Sequence, residues 1–267
     1  MRTIAHLSDL HFGRTDPAVL ESLESAVIAA QPHVVVVSGD LTQRARSHEF
    51  AQARDFLAGL PRPQIVVPGN HDVPFYNVLK RWLMPLSNFR RYIGRDLAPF
   101  HADEEIAVLG LNTARAFAIK NGRIGSAQVA KACDLFSGIR ESALRIVVTH
   151  HPFAVPAGDN PKAIVGRAKM AMAAFADCKV DVVLSGHLHL SRAVTSETLF
   201  AGEHAALLVQ AGTSSSTRRR EEANAFNLLR VNGGELTVEQ HAWNPGGFAV
   251  VAEDRFRRTD GGWRTAS

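Results

Sequence analysis

VDVVLSGHLHLS, residues 180–191, is an apolar segment that ends in Gly186 and in two histidines one residue apart, His187 and His189. A short unbroken apolar run is typical of a β-strand that is covered on both faces. Neutral imidazole is the commonest metal ligand among protein side chains. Two imidazoles at the end of a buried strand therefore predict either a metal site or a pair of tolerated polar residues, and the other strand ends decide between these interpretations.

Four more apolar runs predict strands: TIAHLS (3–8), HVVVVS (33–38), QIVVP (64–68) and LRIVVT (144–149). Helical spacing of apolar residues lies between them, in 17–31 with Pro17 in the first turn, in 47–60 with Ser47 as the N-cap, and in 161–178. This alternation predicts a layered α/β domain. After about residue 190 the runs shorten, and Gly233-Gly234 marks a hairpin, so mostly antiparallel strands are expected there.

Composition excludes several classes of protein. With 267 residues, 46% hydrophobic and 21% charged, we expect a single globular domain over 1–267. The net charge is +4, but the densest basic run, STRRREE (216–222), carries its own acidic residues and predicts a solvated loop rather than a nucleic-acid-binding face. No apolar run reaches the roughly 18 residues of a membrane span, and the N-terminus lacks a signal-peptide core. We expect a cytoplasmic protein with neither a nucleic-acid nor a membrane partner; a homo-oligomer stays open.

The two cysteines also bear on the compartment in which the protein is expected. The two cysteines, Cys133 and Cys178, both lie in segments with a helical pattern. Such a pair predicts neither a disulfide framework nor a cysteine-based zinc site. The expectation is a reducing compartment.

Side chains able to bind metal follow each of the five predicted strands. In open α/β sheets, ligands gather outside the carboxyl ends of the strands, so these distant positions are expected to converge. The convergence predicts a metal site rather than tolerated polar residues. The residues are Asp9 and His11; Asp40; Asn70, His71 and Asp72; His150 and His151; and His187 and His189.

The ligand types restrict the metal. Carboxylate and amide oxygens mixed with imidazoles suit Mn, Fe or Zn. Two ions held about 3.5–4 Å apart need an anionic bridge, and Asp40, alone at its strand end, is the natural one. Gly39, Gly69 and Gly186 each precede a ligand position, which predicts a tight turn or a close backbone approach.

The series DLH (9–11), GDLT (39–42), GNHD (69–72), HHP (150–152) and GHLH (186–189) resembles the calcineurin-like metallophosphoesterase superfamily. Within it, the chain resembles bacterial phosphodiesterases related to class III cyclic nucleotide phosphodiesterases. The resemblance implies an α/β fold, a four-layer αββα sandwich of two mixed β-sheets flanked by helices, with residues 190–258 completing the second sheet.

The resemblance also implies roles for the site residues. Two divalent or mixed-valence ions would share Asp40, and His71, free of metal, would lie near the leaving group with Asp72 hydrogen-bonded to it. The ligands of one ion would be Asp9, His11 and His189, and those of the other Asn70, His150 and His187. We expect hydroxide, formed between the ions, to attack a small phosphodiester in line, and His71 to protonate the departing alkoxide.

Substrate contacts are less specific in the sequence. Arg44 follows the loop of the bridging ligand, Asn112 ends a sixth strand-like run, and His151 faces either the substrate or a partner behind the ligands. The helical stretch 73–100, with Arg90, Arg91 and Tyr92, is a lid insertion, a packing element or a dimer contact.

Other functions stay open at this point. A phosphomonoesterase or a nucleotide-sugar pyrophosphatase would use the same metals. A DNA nuclease subunit is disfavoured because the chain has no concentrated basic face. A scaffold without catalysis is disfavoured because it needs no free histidine beside a metal ligand.

Overall fold

The computed structural model describes residues 1–117, 120–155, 161–196, 204–217 and 223–266. The strands are β1 (Arg2–Leu7), β2 (Val34–Val37), β3 (Gln64–Val66), β4 (Phe100–Ala102), β5 (Ile106–Gly110), β6 (Leu144–Val148), β7 (Val182–Ser185), β8 (Arg192–Thr195), β9 (Leu207–Gln210), β10 (Ala225–Asn232), β11 (Glu235–Asn244), β12 (Gly247–Thr259) and β13 (Gly262–Thr265). The helices are α1 (Pro17–Ala29), α2 (Ser47–Gly59), α3 (Val78–Leu83), α4 (Ser87–Tyr92), α5 (Ser126–Ser137) and α6 (Ala168–Asp177).

Two mixed sheets lie face to face. The first has the order β13-β12-β11-β10-β1-β2-β3, in which β1, β2 and β3 are parallel and the others antiparallel. The second has the order β4-β5-β6-β7-β9-β8, with antiparallel strands at both edges. Helices α1, α2 and α4 cover the first sheet and α5 and α6 the second, which confirms the predicted four-layer αββα sandwich.

Strand β2 shows why the predicted strands are apolar throughout. Val34 and Val36 point into the core between the two sheets, whereas Val35 and Val37 pack under α1 and α2. All four side chains are fully buried. A strand covered on both faces has no polar alternation, so its apolar run is continuous.

The helix starts follow the chemistry of their first turns. Asp16 caps α1 by accepting a hydrogen bond from the Ala18 amide at 3.0 Å, with Pro17 at the first helical position as predicted. The prediction of Ser47 as the cap of α2 is wrong, because Ser47 is already helical. The Glu49 carboxylate satisfies the amides before it, accepting from Arg46 at 3.0 Å.

The structure differs from two further predictions, one about the sheet that residues 190–258 join and one about where α6 begins. Residues 190–258 do not all complete the second sheet: β8 and β9 join it, but β10 to β12 extend the first sheet because β10 pairs antiparallel with β1. The predicted helix 161–178 is helical only from Ala168, after a short 3₁₀ turn at Pro161–Ala163. Gly166 breaks it, because its amide and carbonyl bond to Gly122 and Ile124.

The cysteine expectation is also corrected. Cys133 on α5 and Cys178 at the end of α6 form a disulfide, with Cα atoms 5.3 Å apart. The two helices pack side by side on the same sheet, which brings together residues 45 positions apart. Cysteine usage therefore no longer supports a reducing compartment.

The sequence predicted no membrane-spanning helix and a solvated loop at STRRREE, and the structure bears on only the first of these. In the described part of the chain, no helix combines the length and the apolarity needed to cross a bilayer. The solvated loop predicted for STRRREE falls largely on residues 218–222, which lie outside the described ranges.

Candidate metal centre

The predicted ligands follow the carboxyl ends of parallel strands from both sheets. Asp9, Asp40 and Asn70 follow β1, β2 and β3, and His150 and His187 follow β6 and β7. Main-chain hydrogen bonds hold these loops against one another, such as that from the Asp9 amide to the Gly39 carbonyl at 3.0 Å. The fold thus brings side chains from distant parts of the sequence to one edge of the sandwich.

A first group of ligand atoms surrounds Asp9. Its Oδ1 lies 3.5 Å from Nε2 of His11 and 3.7 Å from Nε2 of His189. The two imidazole rings are stacked, with centroids 5.4 Å apart. One carboxylate oxygen and two imidazole nitrogens that all lie within 4.8 Å of one another form a set that could hold a cation.

A second group lies beside it. Nε2 of His150 is 3.1 Å from Oδ1 of Asn70 and 3.3 Å from Nδ1 of His187. Asp40 lies between the two groups, because its Oδ2 is 3.4 Å from Nε2 of His150 and 3.9 Å from Nε2 of His11. The structure therefore brings all seven predicted ligands together.

In each of the two carboxylates, one oxygen is hydrogen-bonded to the protein and the other faces the site. Oδ2 of Asp9 accepts hydrogen bonds from the Ser8 hydroxyl at 2.6 Å and the His187 amide at 3.0 Å. Oδ1 of Asp9 is buried and has no hydrogen-bond partner among the described residues. In the same way, Oδ1 of Asp40 accepts from the His71 amide at 2.8 Å, which leaves Oδ2 facing the histidines.

Two of the histidines also have one ring nitrogen bonded to the protein and the other facing the site. Nδ1 of His150 donates to the Ser38 carbonyl at 2.8 Å, so Nε2 faces the site. Nδ1 of His189 is hydrogen-bonded to the Thr213 hydroxyl, and its Nε2 faces Asp9. Metal-binding imidazoles usually have one nitrogen fixed by such a partner. Both ring nitrogens of buried His11 lack a hydrogen-bond partner in the described ranges, which is costly unless a cation binds there.

Asp40 and His150 stabilise each other's charged forms, whereas His187 is held neutral. Burial opposes ionisation of Asp40, yet His150 beside it holds the pKa of this carboxyl well below its usual range. Burial likewise opposes protonation of His150, but Asp40 raises its pKa to about 9. Burial and the neighbouring His150 lower the pKa of His187 to about 4, so this imidazole is neutral and able to bind metal.

The backbone around the site has an unusual conformation. Asp9, His11, Asp40, His187 and His189 all have φ between 50° and 73°, in the left-handed region that non-glycine residues seldom adopt. Such conformations cost about 1–3 kcal/mol each and cluster at functional sites. The folded chain holds these ligand residues in a geometry that local preference alone would not select.

Two of the predicted glycines are required by close approach. A Cβ at Gly69 would lie 2.1 Å from Oδ1 of Asp40, and one at Gly186 would lie 1.8 Å from Oγ of Ser8. Both distances are far shorter than any ordinary contact. Ligand residues and their supporting loops therefore pack directly against bare backbone.

His71 lies at the edge of the cluster and lines a cleft of about 260 Å³. Its Nδ1 donates to the Gln43 carbonyl at 2.9 Å, which places the exchangeable proton of the imidazolium on Nε2. The predicted hydrogen bond from Asp72 to His71 is wrong, because the Asp72 carboxylate is taken by the amides of Leu41, Thr42 and Gly69. Gln43 orients His71 through a main-chain atom.

The predicted substrate residues have different positions. Arg44 lines the cleft, beside Phe75, Tyr76 and Lys120. Asn112 caps its own turn by accepting from the Ala114 amide at 2.9 Å, consistent with a residue that ends a strand.

His151 lies behind the ligands. It is fully buried, with Nδ1 bonded to the Thr113 hydroxyl at 2.8 Å and Nε2 to the Lys120 carbonyl at 3.1 Å. These contacts support the role of a residue behind the ligands rather than a substrate contact. The cleft residues Gln43 and Lys120 could not be predicted from the sequence, because neither belongs to a motif.

Comparison with known proteins agrees with this geometry. A family model described as calcineurin-like phosphoesterase matches residues 2–191. The glycerophosphodiester phosphodiesterase GpdQ of Enterobacter lignolyticus (strain SCF1) is 34% identical over 80 residues. That alignment covers 26% of this chain and 29% of the relative, so the chain matches less than a third of its length.

Solved structures share the fold at low sequence identity. A purple acid phosphatase, PPD1, from yellow lupin (Lupinus luteus) seeds aligns with a TM-score of 0.71 and 12% identity, covering 93% of this chain and 52% of that one. GAP50, described as the anchor in the inner membrane complex of Plasmodium, aligns with a TM-score of 0.60 and 14% identity, covering 94% and 87%. With a family match over most of its length and the motifs assembled at one site, the chain belongs to the calcineurin-like phosphoesterase family, a family of metal-dependent phosphoric ester hydrolases.

Proposed function

We propose that the chain is a dinuclear metal-dependent phosphodiesterase that hydrolyses a small phosphodiester. The observation that supports this best is the arrangement of four of the seven ligands: one polar atom of Asp9, Asp40, His150 and His189 bonds the protein, and the other faces a common centre. Unpaired buried atoms on Asp9 and His11 fit bound cations.

The proposed ligand sets follow the two groups of atoms. Asp40, placed between them, would be shared by two ions of Mn, Fe or Zn. Oxygen and imidazole donors without thiolate suit these metals. Asp9, His11 and His189 would hold one ion, and Asn70, His150 and His187 would hold the other.

When bound, the cations would supply Lewis acidity that neutralises phosphate oxygens and activates water as the nucleophile. The residues of the chain supply the remaining parts of the reaction. His71, held by the Gln43 carbonyl, carries the proton on Nε2 that the departing alkoxide takes up. Arg44 and Lys120 in the same cleft attract the anionic ester.

Two observations favour a diester over a monoester. The cleft beside His71 has apolar walls, formed by Val73, Phe75 and Tyr76, that suit a second ester substituent. The relative GpdQ is named for hydrolysis of glycerophosphodiesters. A cyclic nucleotide or a glycerophosphodiester is a candidate substrate of suitable size.

A substrate screen tests the proposal. The purified protein is loaded with Mn²⁺ and assayed on a bis-aryl phosphate and on the matching mono-aryl phosphate, with Asp40→Asn as the control variant. We expect turnover of the diester to exceed that of the monoester and to disappear in the variant. Turnover of the monoester alone would refute the diester preference. No bound metal and no activity after loading would favour a scaffold.

A further inference from the structure

An exposed apolar surface borders the cleft. We call it the apolar face; it consists of Phe75, Tyr76, Val78, Leu79, Trp82, Leu83, Met84 and Phe117. Each of these side chains is between 50% and 76% exposed. Of the fourteen large apolar side chains exposed in the described ranges, these eight fall in one stretch and its contact partner. Monomeric proteins seldom expose apolar side chains in such concentration without a binding role.

Helix α3 is fixed to the protein by its polar residues. Arg81 is only 6% exposed, and its guanidinium donates to the carbonyls of Ala116 at 2.6 Å and Pro74 at 3.1 Å. Lys80 donates to the Asn88 side chain at 2.9 Å. This is the reverse of an ordinary surface helix, which buries its apolar residues and exposes its charges. Hydrogen bonds on the inner side of α3 therefore hold the helix with its leucines facing outward.

The apolar face is continuous with the cleft. Phe75 and Tyr76 line the cleft together with His71 and Asn70. Trp82 and Phe117 meet with ring centroids 4.4 Å apart, which joins the two segments of the face. A molecule seated on the face would lie beside the candidate metal centre.

Basic side chains border the face where it meets the cleft. The Arg44 guanidinium lies 5.4 Å from the centroid of the Tyr76 ring, and Lys120 lines the same cleft. Apart from Arg81, which is buried, the segment 73–100 contains four basic residues and one acidic residue, a net charge of +3. In a symmetric dimer through this face the same positive segment would meet itself, which is unfavourable. An apolar surface that carries negative charge is the better complement.

We propose that the apolar face docks on anionic lipid surfaces and brings the phosphodiester of an amphiphilic molecule to the cleft. This rests on the proposed function, since it names the substrate class of the same site. Surface binding combines burial of apolar side chains with attraction of cations to anionic headgroups, and it needs no membrane span. It differs from the sequence-based expectation of no membrane partner, which considered spanning segments and a signal peptide.

Vesicle sedimentation tests the docking. The full chain is mixed with vesicles of phosphatidylcholine alone and of phosphatidylcholine with phosphatidylglycerol. We expect sedimentation with the anionic vesicles and a weakening of roughly tenfold or more in the Leu79→Ser/Leu83→Ser double variant. The matched control is Val250→Ser/Val251→Ser, which changes two exposed valines on β12 and is expected to bind as the unmodified chain does.

A second measurement does not depend on the fold of the double variant. Trp82 is 56% exposed, so its emission is expected to shift to the blue when vesicles cover it, and Trp82→Phe should remove most of the shift. Turnover of a soluble bis-aryl phosphate is expected to be equal in the double variant and the unmodified chain. If soluble turnover is absent while vesicle binding persists, the proposed function fails and the docking stands.

Three outcomes would overturn the docking. The first is no sedimentation of the unmodified chain with anionic vesicles, and the second is equal sedimentation with both vesicle types. The third is a dimer in lipid-free solution that the Leu79→Ser/Leu83→Ser change converts to a monomer, which would assign the face to a second copy of the chain.

Discussion

Replacement of Gly69 by alanine would displace the proposed bridging carboxylate. The new Cβ would lie 2.1 Å from Oδ1 and 2.3 Å from the amide nitrogen of Asp40. Ordinary contacts begin at 3.4 Å, so the oxygen must move by about 1.3 Å. Because the Asp40 backbone is also too close, rotation of its side chain cannot relieve the overlap.

The expected cost follows from the size of this overlap. Overpacking a well-packed site costs about 1–3 kcal/mol. If the structure keeps its fold and the strain falls on the ligands, that free energy corresponds to a loss of roughly 5- to 150-fold in metal affinity. A displacement of about 1 Å can also lower the rate by about 10²-fold. The Gly69→Ala protein should therefore still fold, but its affinity for metal should be lower.

Calorimetric titration with Mn²⁺ and urea unfolding of the metal-free protein together measure the effect. The control is Gly94→Ala, because a Cβ at Gly94 would meet nothing within 4 Å. We expect the control to match the unmodified protein in metal affinity. If Gly69→Ala also kept its metal affinity and its free energy of unfolding, the close packing of Gly69 on Asp40 would be refuted.

Three further predictions concern His71, His6 and the disulfide. His71→Ala should retain both metals but slow diesters with poor leaving groups by about 10²–10⁴-fold, with a much smaller effect on activated aryl esters; equal slowing in steady-state assays would rule out the proton donor. Burial lowers the pKa of His6 to about 3, so the folded chain keeps this imidazole neutral while the unfolded chain takes up a proton below about 6.5. The metal-free protein should lose about 1.4 kcal/mol of stability from this residue for each pH unit of acidification between these values, and urea unfolding of His6→Gln should show a shallower pH dependence; an identical slope would contradict it. Reduction of the Cys133–Cys178 disulfide, which closes a span of 45 residues, should lower the free energy of unfolding by up to about 4 kcal/mol, with Cys133→Ser insensitive to reductant; no change on reduction of the unmodified protein would count against the bond.

Buried strands and the ligand positions at their ends could be predicted from the sequence, because their residue patterns fit few other structures. The valines of β2 predict a strand buried on both faces because no other common structure hides four consecutive apolar residues so readily. The ligand positions were predictable because parallel strands end at a common edge, so that Asp9 and His187, far apart in the sequence, meet there.

The remaining features depend on tertiary contacts. The Gln43 carbonyl orients His71, and a main-chain atom leaves no signal in the sequence. The contact between Cys133 and Cys178 exists only after α5 and α6 have packed on the sheet. The apolar pattern of α3 resembles that of an ordinary buried helix, and only the contacts of Arg81 show that the helix faces the other way.

Anomalous diffraction from crystals of the manganese-loaded protein would test the central claim most directly. We predict two peaks: one among Asp9, His11 and His189, and another among Asn70, His150 and His187. Asp40 should contact both. A single peak, or peaks away from these side chains, would contradict the assignment of a dinuclear metal centre.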